Sequence, residues 1–215
     1  MSIPFEKMRE PFERIYADNT WRYGSGEGSL PVHTKGYIAF LEQFLTQHEV
    51  TSVVDLGCGD WQFSRHIRWG LVKYQGFDIV KTVIDANIRE FSSETVEFHL
   101  YSGNPAELPP ADLLIAKDVL QHWSNNNIQT FLRSLNRYRF ALITNCVNPR
   151  GPTVNEDIQD ADGRYLDLRQ PPFSLSAEEV YSFTNTQNLV QRLLFCKPRW
   201  LKRTILVQNP EPLNE

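Results

Sequence analysis

One stretch limits what this chain can fold into: Thr51-Ser52-Val53-Val54-Asp55-Leu56-Gly57-Cys58-Gly59-Asp60. A β-branched run passes through an acid and meets two glycines one residue apart, the pattern of a buried parallel strand breaking into a tight loop. Glycine at 57 and 59 permits backbone conformations closed to other residues and lets a ligand reach the main chain. A helix after the loop would offer unpaired N–H groups to polar ligand atoms. Asp55 stands at the carboxyl end of the strand, where open α/β sheets hold their ligands. Glycines at a strand end also serve turn geometry alone, so the pattern takes its meaning from the residues downstream of it. Trp61 to Ile67 read as the start of a helix, and Tyr74 to Val80 as a second strand. That strand carries Asp78, an acid about 20 residues past the loop that can accept both hydroxyls of a ribose.

To this point a dinucleotide and an adenosyl ligand are equally served. The loop separates them. The dinucleotide fingerprint wants Gly or Ala where this chain has Gln62, and a helix N-terminus kept free for pyrophosphate. Here Asp55 and Asp60 flank the turn, and carboxylates repel pyrophosphate but suit an ammonium or sulfonium group. Val53 to Asp60, with Asp78 downstream, resemble the first two motifs of class I S-adenosylmethionine-dependent methyltransferases, most specifically over residues 50 to 145. The resemblance implies a Rossmann-like α/β fold whose seven-stranded, mostly parallel sheet ends in a C-terminal antiparallel hairpin. It implies S-adenosyl-L-methionine as methyl donor and S-adenosyl-L-homocysteine as product. On that likeness Asp55, Gly57 and Gly59 hold the methionine end, with Cys58 and Asp60 beside them, and Asp78 holds the ribose. Ile79 and the loop Ser102-Gly103-Asn104 take the adenine, Asn104 standing where the family often has an acid. A simple turn at 102 to 105 is the competing reading.

Composition adds boundaries. A chain of 215 residues can bury a sizeable core as one domain. At net charge −4, no global field draws it to nucleic acid. Met1 to Lys7 has no apolar signal core and no 18-residue apolar run exists, so a cytoplasmic protein is expected, with no membrane partner. Its oligomeric state is not legible. Cys58, Cys146 and Cys196 lack paired spacing, which suggests neither a disulfide framework nor a zinc site.

The single domain divides into an extension over 1–33, a cofactor-binding core over 34–145, a substrate lid over 146–175 and a closing helix and hairpin over 176–208. The extension shows little periodicity, but Asn19 to Ser29 alternates glycine and serine behind Trp21 and Tyr23. That makes a flexible linker or a ligand-wrapping loop. The run resembles the segment before the core in a bacterial methyltransferase group, which implies that Trp21, Ser25 and Gly26 cover the cofactor. Tyr37, Phe40, Leu41, Phe44 and Leu45 predict a helix from Thr34 to near His48, with His33 and His48 as surface residues. A helix is expected over 81–91 and strands over 96–101 and 113–116.

Lys117, Asp118 and His122 cluster where the central strand opens, and charged groups there are costly to bury unless paired or serving a ligand. In the resembling family this lip faces the transferable methyl group, which places Lys117 among the cofactor contacts. His122 is a candidate general base for a hydroxyl, oriented by Asp118 one helical turn earlier; the alternative is a helix-start network that never meets substrate. Ser124 is an expected N-cap for a helix running to about Asn136. Asn145 ends a fifth strand at the same lip, and with Tyr165 and Arg169 of the long polar connection it is a candidate substrate contact. Asp157, Asp160 and Asp162 lack the pattern of a calcium loop, and no metal is expected. Ser176-Ala177-Glu178-Glu179 reads as a capping box opening a helix, and 189–195 with 203–207 as the closing hairpin.

The expected function is methyl transfer to a small polar acceptor, on the oxygen of a sugar or metabolite. Two rivals stand beside it: a non-catalytic adenosyl-binding partner protein, and an NAD(P)-dependent oxidoreductase, against which Gln62 argues.

Overall fold

Val53 and Val54 point to opposite faces of one sheet, and each face is covered. The computed structural model describes residues 5–187, 189–194 and 198–209. Its strands are β1 (Ser52–Leu56), β2 (Lys73–Asp78), β3 (Val96–Leu100), β4 (Ala111–Lys117), β5 (Tyr138–Val147), β6 (Glu178–Thr184) and β7 (Leu201–Gln208). They lie in the order β3-β2-β1-β4-β5-β7-β6. The first five are parallel, and β7 runs antiparallel to both β5 and β6. The helices are α1 (Phe5–Ala17), α2 (Pro31–Gln47), α3 (Lys81–Phe91), α4 (Asn125–Leu132) and α5 (Leu189–Leu193).

A parallel sheet hides both faces, so its strands are apolar on both sides. Val53, Leu113, Ile115, Phe140 and Leu142 pack with Tyr37, Leu41 and Phe44 of α2. Val54, Leu114, Ala116, Ala141 and Ile143 face the other way, with Ile128 and Phe131 of α4 and Phe12 of α1. The chain reverses its winding between β1 and β4, the switch point at which such sheets open a crevice beyond their carboxyl ends.

Several elements differ from expectation. The extension starts with α1, which spans Pro11. No α-helix follows the glycine loop: Trp61 turns at φ 56° and buries its indole against Tyr74, Phe91 and Phe98, leaving one 3₁₀ turn at Ser64–His66. Residues 178–184 form β6 instead of a helix. Tyr181 and Phe183, two apart on one face, pack on Tyr37 of α2, and this tertiary contact outweighs the local capping signal. The partner of β7 is therefore β6, and 189–193 form α5 because both edges of β7 are already taken. Phe195, Cys196 and the tail from 210 lie outside the described residues.

Helix α4 stops at Leu132, followed by a 3₁₀ turn at Leu135–Arg137. Ser124 is its N-cap by position but makes no side-chain cap. The capping comes from the long connection: the Ser124 N–H donates to Asp160 and the Asn125 N–H to Asp157, each at 2.8 Å. Expected as solvated, His33 instead has a side chain only 8% exposed, set between Glu27, Trp200 and the Thr186 N–H. His48 packs on Phe44 and Phe140.

Candidate active site

The loop after β1 is tied down by β2. Gly57 and Gly59 take φ of 71° and 55°, conformations that only glycine adopts without strain. The N–H groups of Gly57 and Cys58 donate to the Phe77 carbonyl at 2.7 and 3.1 Å, and the Gly59 N–H donates to Asp78 Oδ2 at 3.0 Å. The other oxygen of Asp78 accepts the Val80 N–H at 3.0 Å. Without a following helix, the loop presents a glycine bend and acids in place of a helix N-terminus, an arrangement with nothing to cradle a pyrophosphate.

Two acids form the floor of the crevice. Asp55 is buried and accepts the Tyr74 hydroxyl at 2.7 Å and the Ser64 hydroxyl at 3.4 Å. Burial pushes its pKa to about 7 despite those bonds and the charge of Lys117. Burial likewise lifts Asp78 to about 6 against three backbone N–H bonds. A cationic ligand group here would relieve this cost. Cys58 lines the same floor, and burial raises its thiol well above the usual range, so it acts as packing.

The extension closes over the crevice through polar latches. Ser25 Oγ donates to Asp60 Oδ1 at 2.6 Å, accepts the Asp60 N–H at 3.0 Å and meets the Tyr16 hydroxyl at 2.9 Å. Lys117 Nζ donates to the Gly28 carbonyl at 3.2 Å and Ser29 Oγ at 3.4 Å. These contacts make the Gly/Ser run a built loop. They also move two expected cofactor contacts: Asp60 is consumed by the extension, and Lys117, though on the crevice wall, anchors it. Trp21 and Ser25 line the crevice, whereas Gly26 does not.

At the end of β4, Asp118 turns at φ 61° and lies between two lysines, Lys117 Nζ at 2.7 Å and Lys202 Nζ of β7 at 2.5 Å. Burial alone would raise its pKa, but the two ammonium groups outweigh burial and hold it far below the carboxylate range. Asp118 does not bond His122. A 3₁₀ turn, Leu120–His122, replaces the expected helical face. His122 Nδ1 lies 2.8 Å from the Asp162 carbonyl, and the ring packs against Trp21 at a tilt of 37° with centroids 5.2 Å apart. Burial lowers its pKa. Burial thus favours the neutral imidazole, and the ring lies on the crevice wall with Val119 and Trp123.

Asp55, Gly57, Cys58, Asp78, Ile79, Lys117, Asp118, His122, Trp21 and Ser25 are thus brought together. Other candidates are not. Ser102, Gly103 and Asn104 sit off the crevice, where Asn104 caps a 3₁₀ turn through the Ala106 N–H. The residue that faces in after β3 is Tyr101, buried and with its hydroxyl unpartnered. Asn145 is buried away from the crevice lining, Tyr165 is 44% exposed, and Arg169 is engaged by Asp167 and Glu179. Phe12, Tyr16, Phe63, Tyr101, Val119 and Trp123 were not foreseen as lining. For Trp123, adjacency to His122 was the available signal.

The crevice takes in about 820 Å³ counted out to open solvent, but only about 80 Å³ admits the centre of a water-sized molecule. Drug-sized ligands occupy roughly 300 Å³ or more. Phe12, Tyr16 and Trp21 of the extension line the crevice opposite the floor from β1 and β2.

Solved structures share this architecture. Magnesium protoporphyrin IX methyltransferase from Synechocystis PCC 6803, crystallised with bound SAH, is 15% identical over 95% of this chain and 98% of its own, with a TM-score of 0.59. The 1,6-didemethyltoxoflavin-N1-methyltransferase of Burkholderia thailandensis, with bound 1,6-didemethyltoxoflavin and S-adenosylhomocysteine, is 15% identical over 97% and 92%, with a TM-score of 0.62. The DhpI–SAH complex is 13% identical over 97% and 98%, with a TM-score of 0.60. At these identities the likeness shows the fold. No curated protein matches the sequence. Residues 10–153, which run from within α1 through the glycine bend to just past β5, match the model of the O-methyltransferase domain, and the chain belongs to that family.

Proposed function

We propose that this methyltransferase uses S-adenosylmethionine to methylate an oxygen of a small hydroxylated acceptor, such as a sugar or related metabolite. The observation that carries the reading is the pairing of an acidic floor, Asp55 and Asp78 around the glycine bend, with a neutral imidazole, His122, in the wall of one crevice. The residues suit the donor: Gly57 lines the crevice without a side chain while Gly59 lies buried beneath Ser25, the two acids favour a cation, and the buried hydroxyl of Tyr101 has no partner among the described residues. Asp55 would hold the ammonium end, Asp78 the ribose hydroxyls, and Ile79 with Tyr101 the base. The donor supplies a methyl group already activated on a sulfonium.

What remains for the protein is to orient the acceptor and take its proton. Trp21 and Trp123 of the lining would pack against the acceptor, and His122 would take its hydroxyl proton. No helix among the described residues is long and apolar enough to cross a membrane. Incubation with isotope-labelled donor and a cell metabolite fraction, read by mass spectrometry, tests the assignment. Label on the oxygen of a small molecule is expected. Label on nitrogen or carbon, or confined to macromolecules, would remove it.

A further inference from the structure

His122 is placed on the wall by its 3₁₀ turn, but what fixes its ring chemistry is the residue before it. Gln121 is buried. Its Oε1 accepts the Cys146 backbone N–H of β5 at 2.7 Å. A backbone N–H can only donate, so that oxygen's identity is not interchangeable with the amide nitrogen. The nitrogen must then be the end that faces His122, and Gln121 Nε2 lies 3.3 Å from His122 Nε2. An amide N–H needs an acceptor, which requires an unprotonated Nε2. On the far side of the ring Nδ1 lies 2.8 Å from the Asp162 carbonyl, which only accepts, so Nδ1 carries the proton. The bonds form one directed chain, from the β5 backbone through Gln121 and the imidazole to the long connection. The connection is itself docked on this turn, with the Ala161 N–H on the His122 carbonyl at 2.8 Å.

We propose that Gln121 is a positioning residue that holds His122 as the Nδ1-protonated tautomer and aims its Nε2 lone pair, which an acceptor hydroxyl reaches by displacing the long amide contact. The consequence for turnover rests on the reading of His122 as base; the tautomer does not. Charged groups near the ring act in both directions. Burial and Lys202 of β7 favour the neutral ring, while Asp118 and the Asp162 carbonyl favour the charged one, and the balance is a lowered pKa.

The test uses the full chain labelled with ¹⁵N-histidine, in which the five histidines are resolved by long-range ¹H–¹⁵N correlation and His122 is assigned with His122→Asn. At neutral pH the wild-type protein should show a protonated Nδ1 and a bare Nε2; the opposite tautomer overturns the proposal without any variant. Gln121→Glu keeps an oxygen for the Cys146 N–H but sets a second oxygen against Nε2. It should move the proton to Nε2, raise the His122 pKa and carry the acid limb of kcat to higher pH. It should also lower kcat at neutral pH by about tenfold or more, with S-adenosylhomocysteine affinity retained. Gln121→Met, which offers no hydrogen bond, leaves the Asp162 carbonyl to keep the proton on Nδ1 and should show the wild-type tautomer. An unchanged tautomer in Gln121→Glu overturns the proposal. A shifted tautomer in Gln121→Glu with wild-type kcat there and in His122→Asn supports the role of Gln121 and removes His122 as base.

Discussion

Asp55 accepts hydroxyls from Tyr74 and Ser64, yet burial still lifts its pKa to about 7. A folded-state pKa above the unfolded value means that the native chain binds the proton more tightly. Stability from this group is full below about pH 4 and is lost as pH rises toward 7, by at most about 4 kcal/mol. Asp55→Asn keeps an acceptor for the Tyr74 hydroxyl without the charge. Thermal melts should show the variant about 1–3 kcal/mol more stable than wild type at pH 8 and nearly equal to it at pH 4. Calorimetry should show its S-adenosylmethionine affinity reduced. A variant less stable at pH 8 would mean that the carboxylate is well solvated and the floor holds no unrelieved charge. Asp55 and Asp78 were legible in the sequence because the chemistry of a strand end is local. Asp118 and His122 were legible as members of the site but not in their partners. Lys202, which holds Asp118, comes from a strand 84 residues away, and no local spacing announces such a contact.

The extension shows the same limit at the level of an element. Helix α1 carries Pro11, so its sequence gives a weak helical signal, and its reason to form is tertiary: Phe12 and Tyr16 cover the crevice. Strand β6 was obscured the other way, by a good local capping signal that the packing of Tyr181 on α2 overrides. The latch that seats the extension is compact. Ser25 Oγ serves Asp60 twice and Tyr16 once, and a Cβ added to Gly59 would lie 2.1 Å from it. Ser25→Ala leaves Asp60 Oδ1 and the Asp60 N–H without this partner, a loss of about 1–3 kcal/mol. Because the charge lies at the rim, the effect should fall on local opening. Hydrogen exchange measured by mass spectrometry should speed up at least about tenfold in α1, with the protection of β1 and β4 unchanged. Saturating S-adenosylhomocysteine should restore part of it. Equal acceleration in the sheet would show that the extension is part of the cooperative core and not a separately opening cover.

Over the whole molecule, the connection between β5 and β6 is what makes the crevice wall continuous with the sheet. It contains no helix or strand, but it is pinned at both ends. Asp157 and Asp160 cap α4, the Leu166 N–H donates to the Cys146 carbonyl, and Leu166 and Leu168 are buried in the core. At its far end Asp167 accepts Arg169 Nε at 3.1 Å and Arg203 Nη1 of β7 at 3.0 Å, and Arg203 Nε lies 2.8 Å from Glu179 of β6. Burial would raise the Asp167 pKa, but the bonds and charges of the two arginines lower it. A depressed pKa stabilises the fold above the unfolded value and is lost as pH falls through the folded one. Asp167→Asn keeps the shape but leaves two arginines short of a charge, a cost of about 2 kcal/mol. For a chain of this size that is roughly 4–8 °C in Tm at pH 7, and the difference from wild type should vanish as the pH is lowered through the Asp167 titration. In a background with Trp61, Trp69 and Trp200 replaced by Phe, fluorescence of Trp21 and Trp123, which line the crevice, should melt together with the far-ultraviolet signal of the sheet in both proteins. If the fluorescence transition came several degrees earlier in wild type, the connection and crevice wall would be a separate folding unit, and the ion network would be holding a loop to the surface and not closing the molecule.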